Sequence, residues 1–387
     1  METIGTGDHS GRITPADFDL TVVGGGPAGT CAAITAARAG SQVLLLERGR
    51  LPRQRVCGEF VSAESLALLT GLLEHTAADL VHKALHIPEA RLFFDGRVVT
   101  TPVEPCAASI ARLDLDFALW RAAEHAAVDA KMQTTVQTIT GSGPFVLTTS
   151  AGTFQSRAVI NASGRWSNLG GQSALVDPDA SSKNQDAKWL GVKAHFSEPN
   201  PYPSVDLYFF DGGYCGVQPV DIAGASNGAG GRVNACAMVR SDVARTLPEI
   251  FQLHPELRER SHAWKPLAEP VSTSPLIFRE PTPIDNGIFM AGDAAGFVDP
   301  FVGDGISLAL RSGTLAAECL APFFARMCSL VEAESRYARS YREQLLPVFR
   351  NSSKVRRLLS LPRPIRRSVG RVLETPALSR LLVRLTR

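Results

Sequence analysis

Residues 19–47 restrict the fold more than any other part of the chain. The run from Asp19 to Val23 is β-branched and apolar and stops at Gly24-Gly25-Gly26-Pro27-Ala28-Gly29, as a strand buried on both faces does when it ends in a glycine turn. From Ala28 to Ala39 small residues recur at helical spacing, Gly40 closes the segment, and Gln42 to Leu46 is a second apolar run ending at Glu47. Strand, turn, helix and strand make a β-α-β unit, and in that context Gly24-x-Gly26-x-x-Gly29 is a dinucleotide fingerprint. Gly24 permits the turn, Gly26 lets the backbone approach a pyrophosphate, and Gly29 lets the helix pack closely on the strand. The helix start at Ala28 offers unpaired N–H groups and a partial positive charge to phosphate. Glu47 is placed to accept hydrogen bonds from ribose hydroxyls, and Arg48 beside it is a further candidate contact. On these residues alone the dinucleotide is FAD or NAD.

A chain of 387 residues has material for two or three domains or one large composite with a buried core. Its seven cysteines are scattered without a CxxC pair, so neither a zinc cage nor a disulfide framework is expected. Most read as buried apolar fillers in a reducing compartment. No histidine stands at metal-ligand spacing with Cys, Asp or Glu, so no metal is expected. A nucleophile elbow Gly-x-Ser-x-Gly is absent as well. The first fifteen residues lack an apolar signal core and no run is long enough to span a bilayer, so a cytoplasmic location is expected.

The net charge of +2 hides an asymmetry. Eleven of the 40 basic residues but one of the 38 acidic ones lie in 350–387, so a body of −8 carries a tail of +10. Residues 346–387 are therefore expected to be a basic amphipathic helical tail, broken by Pro362, Pro364 and Pro376. Such a tail lies on an anionic membrane face, here the inner face, or packs on the acidic body of its own chain. Nucleic acid is not expected, because the tail lacks interleaved aromatic residues.

Along the rest of the chain, the pattern predicts a helix over Ala63 to Leu73 capped by Ser62 and a hairpin over 91–100 turning at Asp95-Gly96. An amphipathic helix over Leu113 to Ala130 is expected next, then three or four short strands from Thr134 to Ala162. Residues 185–240 alternate as antiparallel strands, with 223–231 as a flexible hairpin loop. Gly287 to Ala291 returns to a buried parallel strand, followed by helices over Ile306 to Phe324 and Glu332 to Phe349.

The late segment Ile288-Phe289-Met290-Ala291-Gly292-Asp293-Ala294-Ala295-Gly296, running into Pro300-Phe301-Val302-Gly303-Asp304-Gly305, distinguishes the two dinucleotides. With the first motif, it resembles the FAD-dependent family that contains the aromatic hydroxylases, geranylgeranyl reductases and tryptophan halogenases. The resemblance covers roughly residues 17–345. It implies non-covalent FAD, with Gly292-Asp293 at the ribityl chain and Pro300, Gly303 and Gly305 against the isoalloxazine. The helix from Ile306 would then point its N-terminus at the ring and stabilise the anionic reduced flavin.

Two further segments resemble the same family. Cys57-Gly58-Glu59-Phe60-Val61-Ser62 is similar to the Cys-Gly segment of the geranylgeranyl-reductase branch, which places Cys57 near the flavin and makes it a candidate for catalysis. Arg112 with Asp116 resembles an Arg-x-x-x-Asp pattern whose Arg supports FAD phosphates; an Arg on a solvated helix start is the equal alternative. In the middle segment Val159-Ile160-Asn161-Ala162-Ser163-Gly164-Arg165, Gly164 falls at the flavin, and Ser163-Gly164 stands where hydroxylases show Asp-Gly. The reductases' Tyr-x-Trp-x-Phe-Pro motif reads here Tyr214-Cys215-Gly216-Val217-Gln218-Pro219, which keeps the Tyr and Pro and loses the Trp and Phe. Tyr214 is the second candidate for catalysis, while His195 reads as a satisfied core histidine.

The fold expected is α/β: a glutathione-reductase-like, Rossmann-type FAD domain interleaved with an antiparallel-sheet substrate domain. The FAD domain would take 17–85, 110–170 and 281–345, and the substrate domain 86–109 and 171–280. The leading function is an FAD-dependent monooxygenase that hydroxylates a small apolar aromatic or lipid-like substrate through a flavin C4a-hydroperoxide, with NAD(P)H as electron donor. The alternatives are a geranylgeranyl-reductase-like reduction of isoprenoid double bonds and a flavin-binding maturation or scaffold partner.

Overall fold

The structure, a computed structural model, describes residues 16–165, 169, 188–221, 231–273, 275–276, 278–297 and 303–351. In chain order the elements are β1 (Phe18–Val23), α1 (Pro27–Arg38), β2 (Val43–Leu46), β3 (Phe60–Val61), α2 (Ala63–Leu73), α3 (Ala78–His82), β4 (Leu85–Phe94), β5 (Arg97–Ser109) and α4 (Arg112–His125). They continue as β6 (Asp129–Lys131), β7 (Val136–Gly141), β8 (Phe145–Thr149), β9 (Gly152–Asn161), β10 (Trp189–Ser197), β11 (Ser204–Phe210), β12 (Gly213–Pro219) and β13 (Arg232–Arg240). The last group is α5 (Leu247–Phe251), α6 (Pro255–Ser261), β14 (Lys265–Pro266), β15 (Val271–Thr273), β16 (Ile284–Asp285), β17 (Ile288–Met290), α7 (Gly305–Phe324) and α8 (Leu330–Gln344).

The first sheet runs β16-β17-β9-β1-β2-β6, with β7 and β8 folded back on β9. From β17 to β6 its pairings are parallel, and β1 at its centre pairs with both β2 and β9. Leu20, Val22, Leu44, Leu45 and Ile160 are wholly buried there, as helix cover on a parallel sheet requires. α1 packs against α7 through small residues: a Cβ at Gly313 would run into the Ala28 carbonyl. The β-α-β unit read from sequence is therefore present, with Gly40 in the left-handed region (φ 91°) after the helix.

The second sheet runs β14-β10-β13-β12-β11-β4-β5-β3, with β15 added on β10. It is antiparallel except for β11 against β4. That parallel pair arises because β4 belongs to the 85–109 hairpin while β11 arrives from the later segment. The short β3 closes the sheet beside β5, so two residues preceding α2 end up on this sheet. One face carries Leu190, Val192, Ala194, Phe196, Val217, Val233 and Val239 under α5 and α6. A buried ion network pins α6 there. Asp206 accepts from Arg91 Nε (2.7 Å) and Arg260 Nη1 (2.5 Å), while Arg260 also donates to both oxygens of Glu198. The opposite face looks toward residues 56–59 of the first unit.

Four local expectations need correction. The helix expected to reach Ala130 ends at His125: Ala127 turns with φ 60°, and residues 129–131 extend the parallel sheet as β6. Ser62 sits at the N-cap of α2, but its hydroxyl pairs with Ser65 Oγ at 3.2 Å instead of capping a backbone N–H. The last helix starts at Leu330 with a complete capping box between Ser329 and Glu332, and breaks at Leu345 before one more helical turn. The hairpin expected over 91–100 is the tip of a longer one, β4 and β5 reaching from Leu85 to Ser109, with its Asp95-Gly96 turn as expected. The 223–231 loop, except Gly231, lies outside the described residues, as does the tail beyond 351.

Candidate functional site

The glycine turn after β1 is held by close backbone contact. Gly24 has φ 110°, and a side chain there would collide with the Ala162 carbonyl. A Cβ at Gly29 would run into the carbonyl of Gly24. Gly26 differs, because a Cβ there would meet nothing within 4 Å. As N-cap of α1 it has no side-chain cap, and the first turn holds no acid, so the helix N–H groups face open space. Ala28 is buried against Gly292 and Gly313.

Glu47 ends β2 nearly buried and ties the turn down. Its Oε2 accepts from Gly25 N (2.8 Å), and its Oε1 accepts from Gly49 N (2.7 Å) and Arg53 Nη2 (2.6 Å). Burial would raise its pKa, but these donors outweigh that and hold it below the usual glutamate range. Three lone-pair positions are used, leaving one for a hydroxyl. Arg48 points to solvent.

Three arginines converge beside this turn. Arg112 forms a bidentate pair with the buried Asp116 (both bonds 2.7 Å) and touches the Cys57 thiol, so it is not a solvated helix-start residue. Arg53 is paired with Glu47. Arg55, between them, makes no hydrogen bond or ion pair among the described residues; burial, with Arg53 and Arg112 next to it, lowers its pKa. One cation is thus in surplus, as a diphosphate requires. Its local sequence, Leu51-Pro52-Arg53-Gln54-Arg55, did signal a charged loop, but not convergence on the turn.

The late motif lies on the same edge. Gly292 has φ 59° and donates its N–H to Ser312 Oγ at 2.8 Å. Asp293, Gly296, Gly305, Leu308 and Ala309 line a narrow crevice together with Tyr341 and Phe349. Burial raises the pKa of the Asp293 carboxyl, with Arg165, Arg112 and Arg55 opposing the shift. Arg165, which follows Gly164 (φ 84°), stands 3.8 Å from Asp293 and lies over the Phe297 ring at 4.2 Å. Gly303 has φ 73° and sits on Phe60, and α7 starts at Gly305 with Ile306 buried. Pro300 lies outside the described residues.

A buried charge cluster joins the 54–59 segment and the start of α4 to β10, and sequence reasoning missed it. Glu59, inaccessible and at φ 63°, accepts from Lys193 Nζ (2.9 Å) and the Arg112 backbone N–H (2.9 Å), and its Oε2 pairs with His195 Nε2 (2.8 Å). Lys193 also donates to Gln54 Oε1 at 2.7 Å. Burial pushes the Glu59 carboxyl up, but His195 and Lys193 hold it below the usual range. His195 is thus the satisfied core histidine its strand position suggested. The available signal was Lys193, a lysine between Val192 and Ala194 and two residues before His195 on a strand. Cys57 is partly buried, its pKa raised by burial, so it stays a neutral thiol. Tyr214 lies in a separate apolar cluster with Phe209, Leu92, Phe94, Val99 and Met238, bordered by Trp189, Phe278 and Phe297. The geometry keeps Cys57 and Tyr214 in different parts of the site. Among the described residues no cluster of His, Cys, Asp or Glu could hold a metal ion.

The open space at Gly26, the uncapped helix start and the surplus Arg55 lie along one edge with Asp293, an arrangement whose chemistry suits a dinucleotide on an α/β fold. The known-protein matches agree. A family model described as FAD dependent oxidoreductase matches residues 19–83. The digeranylgeranylglycerophospholipid reductase 2 of Methanopyrus kandleri is 27% identical, over 89% of this chain and 87% of its own. The menaquinone reductase of Mycobacterium tuberculosis is 28% identical, over 78% and 76%. Among solved structures, a geranylgeranyl bacteriochlorophyll reductase-like protein from Thermoplasma acidophilum superposes with a TM-score of 0.68 at 20% identity, covering 89% of this chain and 88% of that one. The flavin-dependent brominase Bmp2 gives 0.72 at 18% identity, covering 95% and 93%, a likeness of fold alone. Over residues 19–83 the chain resembles the FAD-dependent oxidoreductases, and over most of its length it is similar to reductases of prenylated lipids and of menaquinone.

Proposed function

We propose that this FAD-dependent oxidoreductase saturates a carbon–carbon double bond in an apolar, isoprenoid-like substrate, with NAD(P)H as the electron donor. The observation that carries this reading is the apolar patch on the inner face of the second sheet. There Tyr214, Phe209, Leu92, Phe94 and Met238 form a cluster bordered by Phe297, four residues beyond Asp293. Such a wall can bury a hydrocarbon chain, gaining about 25 cal/mol per Å² of apolar surface removed from water. The names of the sequence relatives, reductases of prenylated lipids and of menaquinone, favour reduction over the monooxygenation that the sequence alone put first.

Gly26, the α1 N-terminus and Arg55 would hold the pyrophosphate, Glu47 the ribose, and Asp293 the ribityl chain. When bound, FAD supplies hydride transfer. The residues of the chain orient the substrate against the aromatic wall, exclude water, and keep Cys57 as a thiol able to hold a proton. A second reading, monooxygenation of an aromatic substrate, is favoured by the ring-rich border of Trp189, Phe278 and Phe297. We also propose that the basic residues beyond 351 attach the protein to an anionic membrane surface, where such a substrate would reside; Leu346, Val348 and Phe349, which the sequence reading put in the tail, are buried in the fold. Among the described residues no helix is long and apolar enough to cross a membrane.

The test is anaerobic. Protein loaded with FAD and reduced in the absence of oxygen should be reoxidised by a polyprenyl compound, with loss of one double bond per flavin. Reoxidation by oxygen alone, accelerated by an aromatic compound that gains a hydroxyl, would favour the second reading instead.

A further inference from the structure

Two buried acceptor atoms on the inner face of the second sheet have no hydrogen-bond partner among the described residues: Asn234 Oδ1 on β13 and Gln218 Oε1 on β12. The two residues are opposite each other in the β12–β13 register and are 1% and 2% exposed. Each amide is anchored through its nitrogen. Asn234 Nδ2 donates to the Cys57 carbonyl at 3.0 Å, and Gln218 Nε2 donates to Ser109 Oγ at 2.7 Å. A carbonyl can only accept, so the orientation of Asn234 is fixed and its oxygen is the atom left over. The neighbouring Lys193 directs two of its three N–H groups to Glu59 and Gln54, and His195 pairs its Nε2 with Glu59, so these bonds go to other partners. A buried acceptor without a donor carries an uncompensated desolvation penalty, and two side by side are not explained by packing.

Strand alternation puts these oxygens on the same face as the apolar wall. Along β12, Gln218, Gly216 and Tyr214 share that face, and across the register they meet Asn234, Cys236 and Met238. The face therefore changes from acceptors to aromatics within four residues, roughly 13 Å at the rise of a strand. Gly216 lies between the two ends and presents no side chain, where a Cβ would approach Leu207 Cδ2 to 3.3 Å.

We propose that Asn234 Oδ1 and Gln218 Oε1 form a subsite for a hydrogen-bond donor, a hydroxyl at one end of an apolar substrate whose remainder lies along Tyr214 and Phe209. A hydroxyl donates its one O–H to one of these acceptors, whereas the ether that lacks it leaves both unpaired. This subsite deepens the reductase reading and rests on its apolar site.

The experiment compares a linear isoprenoid alcohol with its methyl ether. Both are titrated into FAD-loaded protein and followed by flavin absorbance, and into FAD-free protein followed by thermal shift. Wild type is expected to bind the alcohol about tenfold more tightly than the ether. Asn234→Leu and Gln218→Leu should narrow that gap to about twofold while leaving the ether affinity and FAD uptake unchanged. Gln218→Met, which keeps the side-chain length, carries the comparison if the leucine variants do not melt cooperatively. Equal binding of alcohol and ether by wild type overturns the subsite and leaves the apolar site standing. Failure of both compounds to bind overturns the apolar site as well. Loss of FAD affinity in the variants would assign the donor to ring N–H groups of the cofactor and overturn the substrate hydroxyl.

Discussion

A methyl group added at Gly26 would meet no atom within 4 Å, whereas one added at Gly29 would run into the Gly24 carbonyl. Gly26 also has an ordinary φ of −82°, so a larger residue there is not strained. The two glycines of one motif should therefore fail differently. Gly26→Val is expected to keep its melting temperature while FAD affinity falls at least about 100-fold, because the side chain fills the space left for phosphate. Gly29→Val should lose about 1–3 kcal/mol or more of stability from overpacking, before any question of cofactor arises. FAD titration and thermal melting on both variants separate the effects, and a Gly26→Val protein that binds FAD normally would remove the pyrophosphate from this turn. At this scale the sequence was informative, because a turn is written in consecutive residues. Arg55 was not legible in the same way. Its lack of a partner depends on Asp116, on α4, being taken up by Arg112.

Between elements, the tie that holds the 54–59 segment to β10 is ionic. Glu59 carries the negative charge for Lys193 and the hydrogen-bond partner for His195, with all three side chains at most 1% exposed. Glu59→Gln keeps a polar side chain but strands the lysine charge, so a loss of about 3–5 kcal/mol is expected. The pH dependence has a definite sign. The folded Glu59 carboxyl titrates below its unfolded value, so its stabilisation is complete above the ordinary glutamate pKa of about 4.3 and fades as pH falls through the folded value. Denaturant unfolding from about pH 7 down to about pH 3 should give wild type a steeper loss below about pH 4 than Glu59→Gln. Equal slopes would mean that the carboxylate is not what joins the elements. Strand existence was legible in the alternation of 189–240, and the register was not. Glu59 and Lys193 are 134 residues apart, and only the placement of β3 beside β5 and the 189–197 strand brings them together. The expected end of α4 failed for a related reason, since pairing with β2 drew 129–131 into the parallel sheet against their helical pattern.

Over the whole molecule, the charge division between a body of −8 and a tail of +10 invites two occupants for the basic segment, a membrane or the body itself. The two are separable by salt and by surface. Eleven basic residues contribute on the order of 1 kcal/mol each near an anionic bilayer. That attraction is screened within about 10 Å at 0.1 M salt. The full chain is therefore expected to sediment with phosphatidylglycerol vesicles at low salt, to be released at about 0.5 M, and to ignore neutral vesicles. A chain ending at residue 351 should lose vesicle binding while keeping its melting temperature and FAD uptake, because the described fold and its cofactor residues lie before that point. The opposite pair of results, no sedimentation of the full chain and a lower melting temperature on truncation, would place the tail on the acidic body. Membrane attachment also has a chemical consequence under the proposed activity. A prenylated substrate partitions into lipid, so a site walled by Tyr214, Phe209 and Phe94 gains access to it when the protein rests on the bilayer. Turnover of such a substrate in vesicles should then fall on truncation at 351, while turnover of a short, water-soluble analogue stays unchanged.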